Sequence, residues 1–227
     1  MVALGHKTTH AVTVEDMLYH TKAVSRWVKN SLIIADMPFM SYQADETTAI
    51  YNAGRFIKEA GAEAVKLEGG YDTIINVVRR CTEAGIPVMG HLGFTPQFLH
   101  TIGGYFVQGK DIEATELIIE QARKLEEAGA FGIVLEMIPE ESAKIITESI
   151  NIPTIGIGAG RYCSGQILVT DDILGKYSDF TPKFARKYAD LYSLSKQAVM
   201  QYKNDVLTEG FPADSEVFHL ERTHEKC

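Results

Sequence analysis

Short apolar runs alternate with longer segments of helical spacing from residue 13 to about residue 175. Four of the runs, Leu32–Asp36, Ala64–Glu68, Pro87–His91 and Gly132–Glu136, end on ionisable residues. Each reads as a short strand buried on both faces, the kind found in parallel sheets. A charge is costly inside such a strand. The carboxyl ends of parallel strands, however, gather on one face of the sheet, where ligands bind. Asp36, Lys66, Glu68, His91 and Glu136 are therefore expected to converge on one pocket.

The segments between the runs carry helix signals. Val14, Met17, Leu18, Val24 and Trp27 share one broad face of a helix predicted over 13–29, with Thr13 and Asp16 spaced as a shortened capping box. Further helices are predicted over 45–60, 71–84 and 112–128, each followed by a glycine suited to a left-handed cap: Gly61, Gly85 and Gly129. Pro139 opens another over 140–149. Ile152–Gly156 and Gln166–Thr170 complete a set of six strands, and 92–111, rich in glycine, reads as a functional loop. The fold class is α/β. The strand–helix order predicts a TIM (β/α)8-type barrel with too few strands, an open doubly wound sheet being the alternative. A single domain, 1–227, is expected to close with a helix over 182–208 and a polar tail, 211–227, anchored by Phe218 and Leu220.

The 227 residues are 45% hydrophobic and 23% charged, ordinary for a globular chain able to bury a core. A net charge of −8 argues against nucleic acid or an anionic membrane surface as partner. There is no apolar stretch of membrane-spanning length and no signal-peptide core. Cys81, Cys163 and Cys227 are widely spaced, without a CxxC pair, and read as reduced thiols of a cytoplasmic protein.

Lys66 and Glu68 stand two apart, so both side chains leave a strand on the same face. The competing reading is a solvated ion pair on an edge strand. Asp36 and Glu68 offer hard carboxylate oxygens, which suit Mg²⁺. A 2-oxo acid could complete such a shell with its ketone and carboxylate oxygens, while Lys66 adds positive charge near the substrate carboxylate. Glu136 follows Val134 and Leu135; apolar surroundings would raise its pKa and make it a proton acceptor near neutrality, unless it only caps the helix after Pro139. His91 is either a donor to the substrate or a satisfied core histidine. Gly156–Gly160 departs from GxGxxG and reads as a tight turn; His6 and His10 lack the glutamate of a zinc protease.

The strings Ala35–Met40, Lys66–Gly70, Gly90–Gln97, Gly103–Gly109, Leu135-Glu136, Gly156–Gly160 and Gly165–Val169 resemble the ketopantoate hydroxymethyltransferase family, in order and spacing, to about Leu220. The resemblance implies a (β/α)8 barrel that transfers a one-carbon unit from 5,10-methylenetetrahydrofolate to 3-methyl-2-oxobutanoate with Mg²⁺ and a substrate enolate. It implies Asp36 and Glu68 as metal ligands, Asp36 and Lys66 at the oxo acid, and Glu136 as proton acceptor. It also implies a large homo-oligomer, often a decamer. Family members carry a further stretch ahead of Met1, with the first two strands and a Gly-Asp-Ser motif, so these are expected to be missing from this chain. Ser164 stands where many members have aspartate. Two other readings are a non-catalytic remnant that keeps the scaffold, and a Mg²⁺-dependent carbon–carbon lyase of the same barrel class.

Overall fold

Buried runs that pair side by side, with a capped amphipathic helix between most of them, leave little choice but a parallel sheet, because each crossover returns the chain to the same end. The computed structural model describes residues 4–178 and 180–220. Where the sequence reads as one domain, contacts group the chain into two compact units, Met1–Leu168 and Val169–Cys227.

In the first unit six strands, β1 (Ile34–Asp36), β2 (Ala64–Glu68), β3 (Val88–Gly93), β4 (Gly132–Glu136), β5 (Thr154–Ile157) and β6 (Gly165–Gln166), pair in chain order, all in parallel. They form an α/β half-barrel with β1 and β6 at its edges. Helix α1 (Val14–Ser25) precedes β1, and the connecting helices are α2 (Glu46–Ala60), α3 (Asp72–Glu83), the short α4 (Leu99–Ile102), α5 (Ile112–Glu127) and α6 (Glu140–Glu148). Ala35, Val65, Leu67, Val88, Leu92, Ile133 and Leu135 join one core with Phe56, Val78, Leu125 and Ile146 from these helices. The register puts those strand residues on one face and Lys66, Glu68, His91 and Glu136 on the other.

The local signals hold at most boundaries. The Thr13 hydroxyl accepts from the Asp16 N–H at 3.2 Å, and Asp16 accepts from the Thr13 N–H at 2.9 Å, closing the capping box. Asp45 and Asp111 cap α2 and α5 by accepting from the Thr48 and Ala114 N–H groups, and Gly61, Gly85 and Gly129 take the positive φ expected of them. Other bounds move. Helix α1 stops at Ser25, so Trp27 falls beyond it and is exposed instead of buried. Of the last expected strand, Gln166–Thr170, only Gln166 pairs, next to Gly165 in β6, and Thr170 starts a helix. Ser164, the residue that departs from the family pattern, ties this short strand to β5 through its backbone N–H and its hydroxyl, both bonded to Thr154.

The second unit holds α7 (Thr170–Leu174) and α8 (Leu191–Leu207). Helix α8 begins at Leu191 rather than residue 182, where the Asp190 side chain accepts from the Ser193 N–H at 3.1 Å and sets the start. Phe218 and Leu220, the expected anchors, are exposed, and 221–227 lie outside the described residues. Among the described residues no helix is long and apolar enough to cross a membrane. Cys81 and Cys163 are buried free thiols; Cys227 lies outside the described residues.

Candidate active site

Strand register alone brings the ionisable residues together. Asp36 pairs with Lys66, Glu68 with His91, and Gly93 with Glu136, while Lys66–Glu68 and His91–Gly93 are each two apart. All five side chains therefore share the inner face of the sheet. The solvated edge pair considered for Lys66 and Glu68 is not what forms, since Glu68 is 2% exposed.

Lys66 lies at the centre. Its Nζ is 2.8 Å from Asp36 Oδ1, 3.8 Å from Glu68 Oε1 and 3.1 Å from His91 Nδ1. Burial works against its charge, but Asp36 and Glu68 outweigh it and hold the Lys66 pKa above its usual value. The approach to Asp36 is an ion pair off the direction of a hydrogen bond, so the buried Oδ1 receives no well-directed donor from any described residue. Burial pushes the Glu68 carboxyl up, with Lys66 and His91 opposing.

An ammonium has donors only, so His91 Nδ1 must accept, and the ring proton sits on Nε2. Burial, with Lys66 beside it, depresses the His91 pKa to about 4, so the ring is neutral near pH 7. Nε2 lies 3.1 Å from Glu136 Oε2 but off line for a hydrogen bond, which leaves a buried N–H without a well-directed acceptor. Of the two readings of His91, a core histidine satisfied by its neighbours is the one this geometry disfavours. Burial pushes Glu136 up to about 7, despite the Lys66 charge. Glu136 faces this cluster rather than acting as the cap of α6, whose start shows no side-chain cap.

Two glycines let the strand ends approach. Gly69 has φ 107° and donates to the His91 carbonyl, turning the chain away directly after Glu68. Gly93 has φ 88°, and a Cβ there would collide with the Glu136 carbonyl oxygen. That close approach lets the Phe94 N–H donate to the same oxygen at 2.8 Å.

Sequence reasoning gave no role to Tyr42 or Gln97, although both are buried beside Glu68. The Gln97 N–H donates to Glu68 Oε2 at 2.8 Å, and the Tyr42 hydroxyl accepts from the Glu68 N–H at 3.0 Å. Gln97 ends the Gly90–Gln97 string, the one available signal; nothing in the pattern marked Tyr42.

The donor chemistry suits a hard divalent cation. Glu68 Oε1 and the under-bonded Asp36 Oδ1 both face the Lys66 ammonium. Among the described residues no group of three or more His, Cys, Asp or Glu is placed to hold an ion. An ion held here would therefore draw the rest of its shell from water and substrate, which is ordinary for Mg²⁺.

Over residues 1–214 the chain matches the sequence profile of the family described as ketopantoate hydroxymethyltransferase. It is 54% identical over 221 residues to the 3-methyl-2-oxobutanoate hydroxymethyltransferase of Clostridium botulinum (strain Langeland), covering 97% of this chain and 80% of that one. The enzyme of that name from Carboxydothermus hydrogenoformans is 55% identical over 220 residues, covering 97% and 79%. A solved structure from Burkholderia cenocepacia J2315, described as a lyase/mutase, aligns over 93% of this chain and 74% of its own, with a TM-score of 0.51 at 12% identity. A phosphonomutase-type structure from the same organism covers 64% and 61%, with a TM-score of 0.52 at 14% identity. Identity that low speaks for a shared fold alone. Sequence likeness along nearly the whole chain places it in the ketopantoate hydroxymethyltransferase family of enzymes.

Proposed function

We propose that the chain transfers a hydroxymethyl group from 5,10-methylenetetrahydrofolate to 3-methyl-2-oxobutanoate, giving 2-dehydropantoate for pantothenate biosynthesis in the cytoplasm. The observation that carries this reading is the inner face itself. There a carboxylate basic near neutrality, Glu136, meets a buried ammonium, Lys66, and an unspent imidazole N–H, on His91.

Glu136 takes the C3 proton of the oxo acid, and the enolate carbon bonds to the folate's methylene carbon as one of its two C–N bonds opens. Water then replaces the second C–N bond, supplying the hydroxyl oxygen, and tetrahydrofolate leaves with its nitrogens protonated. Lys66 pairs with the substrate carboxylate. His91 donates Nε2–H to a substrate oxygen. Mg²⁺, held by Asp36 and Glu68, would supply positive charge at the ketone oxygen, where negative charge grows. Asp36 also contacts the oxo acid. The half-barrel is read as an arc of a (β/α)8 barrel, and the working form as a homo-oligomer.

Incubation with 3-methyl-2-oxobutanoate, 5,10-methylenetetrahydrofolate and Mg²⁺, followed by mass spectrometry, tests the reading. The expected product is heavier than the oxo acid by one CH₂O. No such product from a folded chain counts against catalysis by this chain and for the non-catalytic remnant.

A further inference from the structure

Register brings the two carboxylates assigned to the metal to one face from neighbouring strands, but something further must hold each carboxylate group in its orientation. Gln97 is positioned to do so. It is 5% exposed, and five hydrogen bonds meet on it. Its N–H donates to Glu68 Oε2 at 2.8 Å, and its Nε2 donates to the carbonyl of Met37, the residue after Asp36, at 2.8 Å. Its Oε1 accepts from the Tyr42 hydroxyl at 2.8 Å and from Gln43 Nε2 at 2.9 Å. Its carbonyl accepts from His10 Nε2 at 2.9 Å. The Tyr42 hydroxyl in turn accepts from the Glu68 N–H at 3.0 Å.

A buried amide with this many partners is held in one orientation, and a fully satisfied network of this kind is rigid. The network ties the end of β1, the backbone of Glu68 and one Glu68 oxygen into a single unit. It commits Oε2 to Gln97 and leaves Oε1 turned toward Lys66. We propose that Gln97 and Tyr42 are positioning residues that fix the Glu68 carboxylate relative to Asp36, so that one oxygen of each faces the same ion. This rests on the assignment of Asp36 and Glu68 made above. Neither Gln97 nor Tyr42 touches substrate in this scheme; both act through Glu68.

The test is Mn²⁺ binding, followed by electron paramagnetic resonance, to the full wild-type chain, Tyr42→Phe, Gln97→Met and Ile146→Val. The last loosens the core beneath α6 without touching the network, and so controls for a merely structural effect. Tyr42→Phe and Gln97→Met keep the Gln97 N–H but remove the side-chain bonds that seat it and the Glu68 backbone, and both are expected to weaken Mn²⁺ binding by about tenfold or more, while Ile146→Val binds as wild type. A folded Tyr42→Phe and Gln97→Met that both bind Mn²⁺ as wild type overturn the proposal. So does an equal loss in Ile146→Val. If the wild-type chain itself binds no Mn²⁺, the metal assignment fails, and crystal structures decide the positioning. A displaced or split Glu68 carboxylate in Tyr42→Phe supports it, and an unmoved one overturns it.

Discussion

At the scale of single residues, the site is a set of charges held at some cost to stability. Glu136 shows this most clearly, since burial lifts its carboxyl from 4.5 to about 7. The folded chain binds this proton more tightly than the unfolded chain does. The stability it confers is therefore fully present below pH 4.5 and is lost as pH climbs through about 7. The shift corresponds to a loss on the order of 3 kcal/mol. Glu136→Gln keeps the shape and removes the titration, so urea midpoints should rise at pH 8 and change little at pH 4. Carbon-13 NMR of the free chain should find a glutamate titrating near 7 that disappears in Glu136→Gln; its absence from the wild type contradicts the burial argument. Glu136→Ala should lower turnover by about 10²–10⁴-fold and leave Mg²⁺ affinity unchanged by calorimetry. Glu68→Gln should do the reverse, weakening Mg²⁺ and oxo-acid binding first. Equal Mg²⁺ affinity in Glu68→Gln and wild type removes Glu68 from the ligand set.

At the scale of elements, what was legible in the sequence followed from local physics. Apolar runs such as Ala64–Glu68 and Gly132–Glu136 became strands with the bounds expected, because β-type residues between a glycine cap and a turn have few alternatives. Asp45, Asp111 and the capping glycines marked helix ends for the same reason. Where several stops compete, the pattern is weaker: α1 ends before Trp27, and α8 waits for the Asp190 cap. The five ionisable residues were legible because register carries strand-end groups to one face. Tyr42 and Gln97 were not, since their role is a contact between loops far apart in the chain, which has no period. Gly93 is the element-scale counterpart of that problem. Gly93→Ala sets a Cβ against the Glu136 carbonyl at φ 88°. It should destabilise the fold by more than about 1 kcal/mol in urea denaturation and lower turnover as well, by moving Glu136.

At the scale of the molecule, the half-barrel separates two tasks. The outer face of the sheet is apolar and packs on helices, and the inner face carries Asp36, Lys66, Glu68, His91 and Glu136. The unit that holds α8 buries none of that helix's residues, and Leu194, Val199, Met200, Tyr202 and Leu207 stand exposed on it. Exposed apolar surface of this kind is ordinarily covered by association. Light scattering is accordingly expected to give a mass several times the 25.1 kDa of one chain, and a monomer at micromolar concentration would count against the homo-oligomer. The chemistry can be tested apart from assembly and apart from folate, because abstraction of the C3 proton precedes carbon–carbon bond formation. Deuterium exchange at C3 of 3-methyl-2-oxobutanoate, followed by NMR with and without Mg²⁺, reads that step alone. Exchange that requires Mg²⁺ and vanishes in Glu136→Ala is the expected result. Exchange that persists at the wild-type rate in Glu136→Ala, or none at all from the folded wild-type chain, would contradict the assignment of this face as the site of proton abstraction.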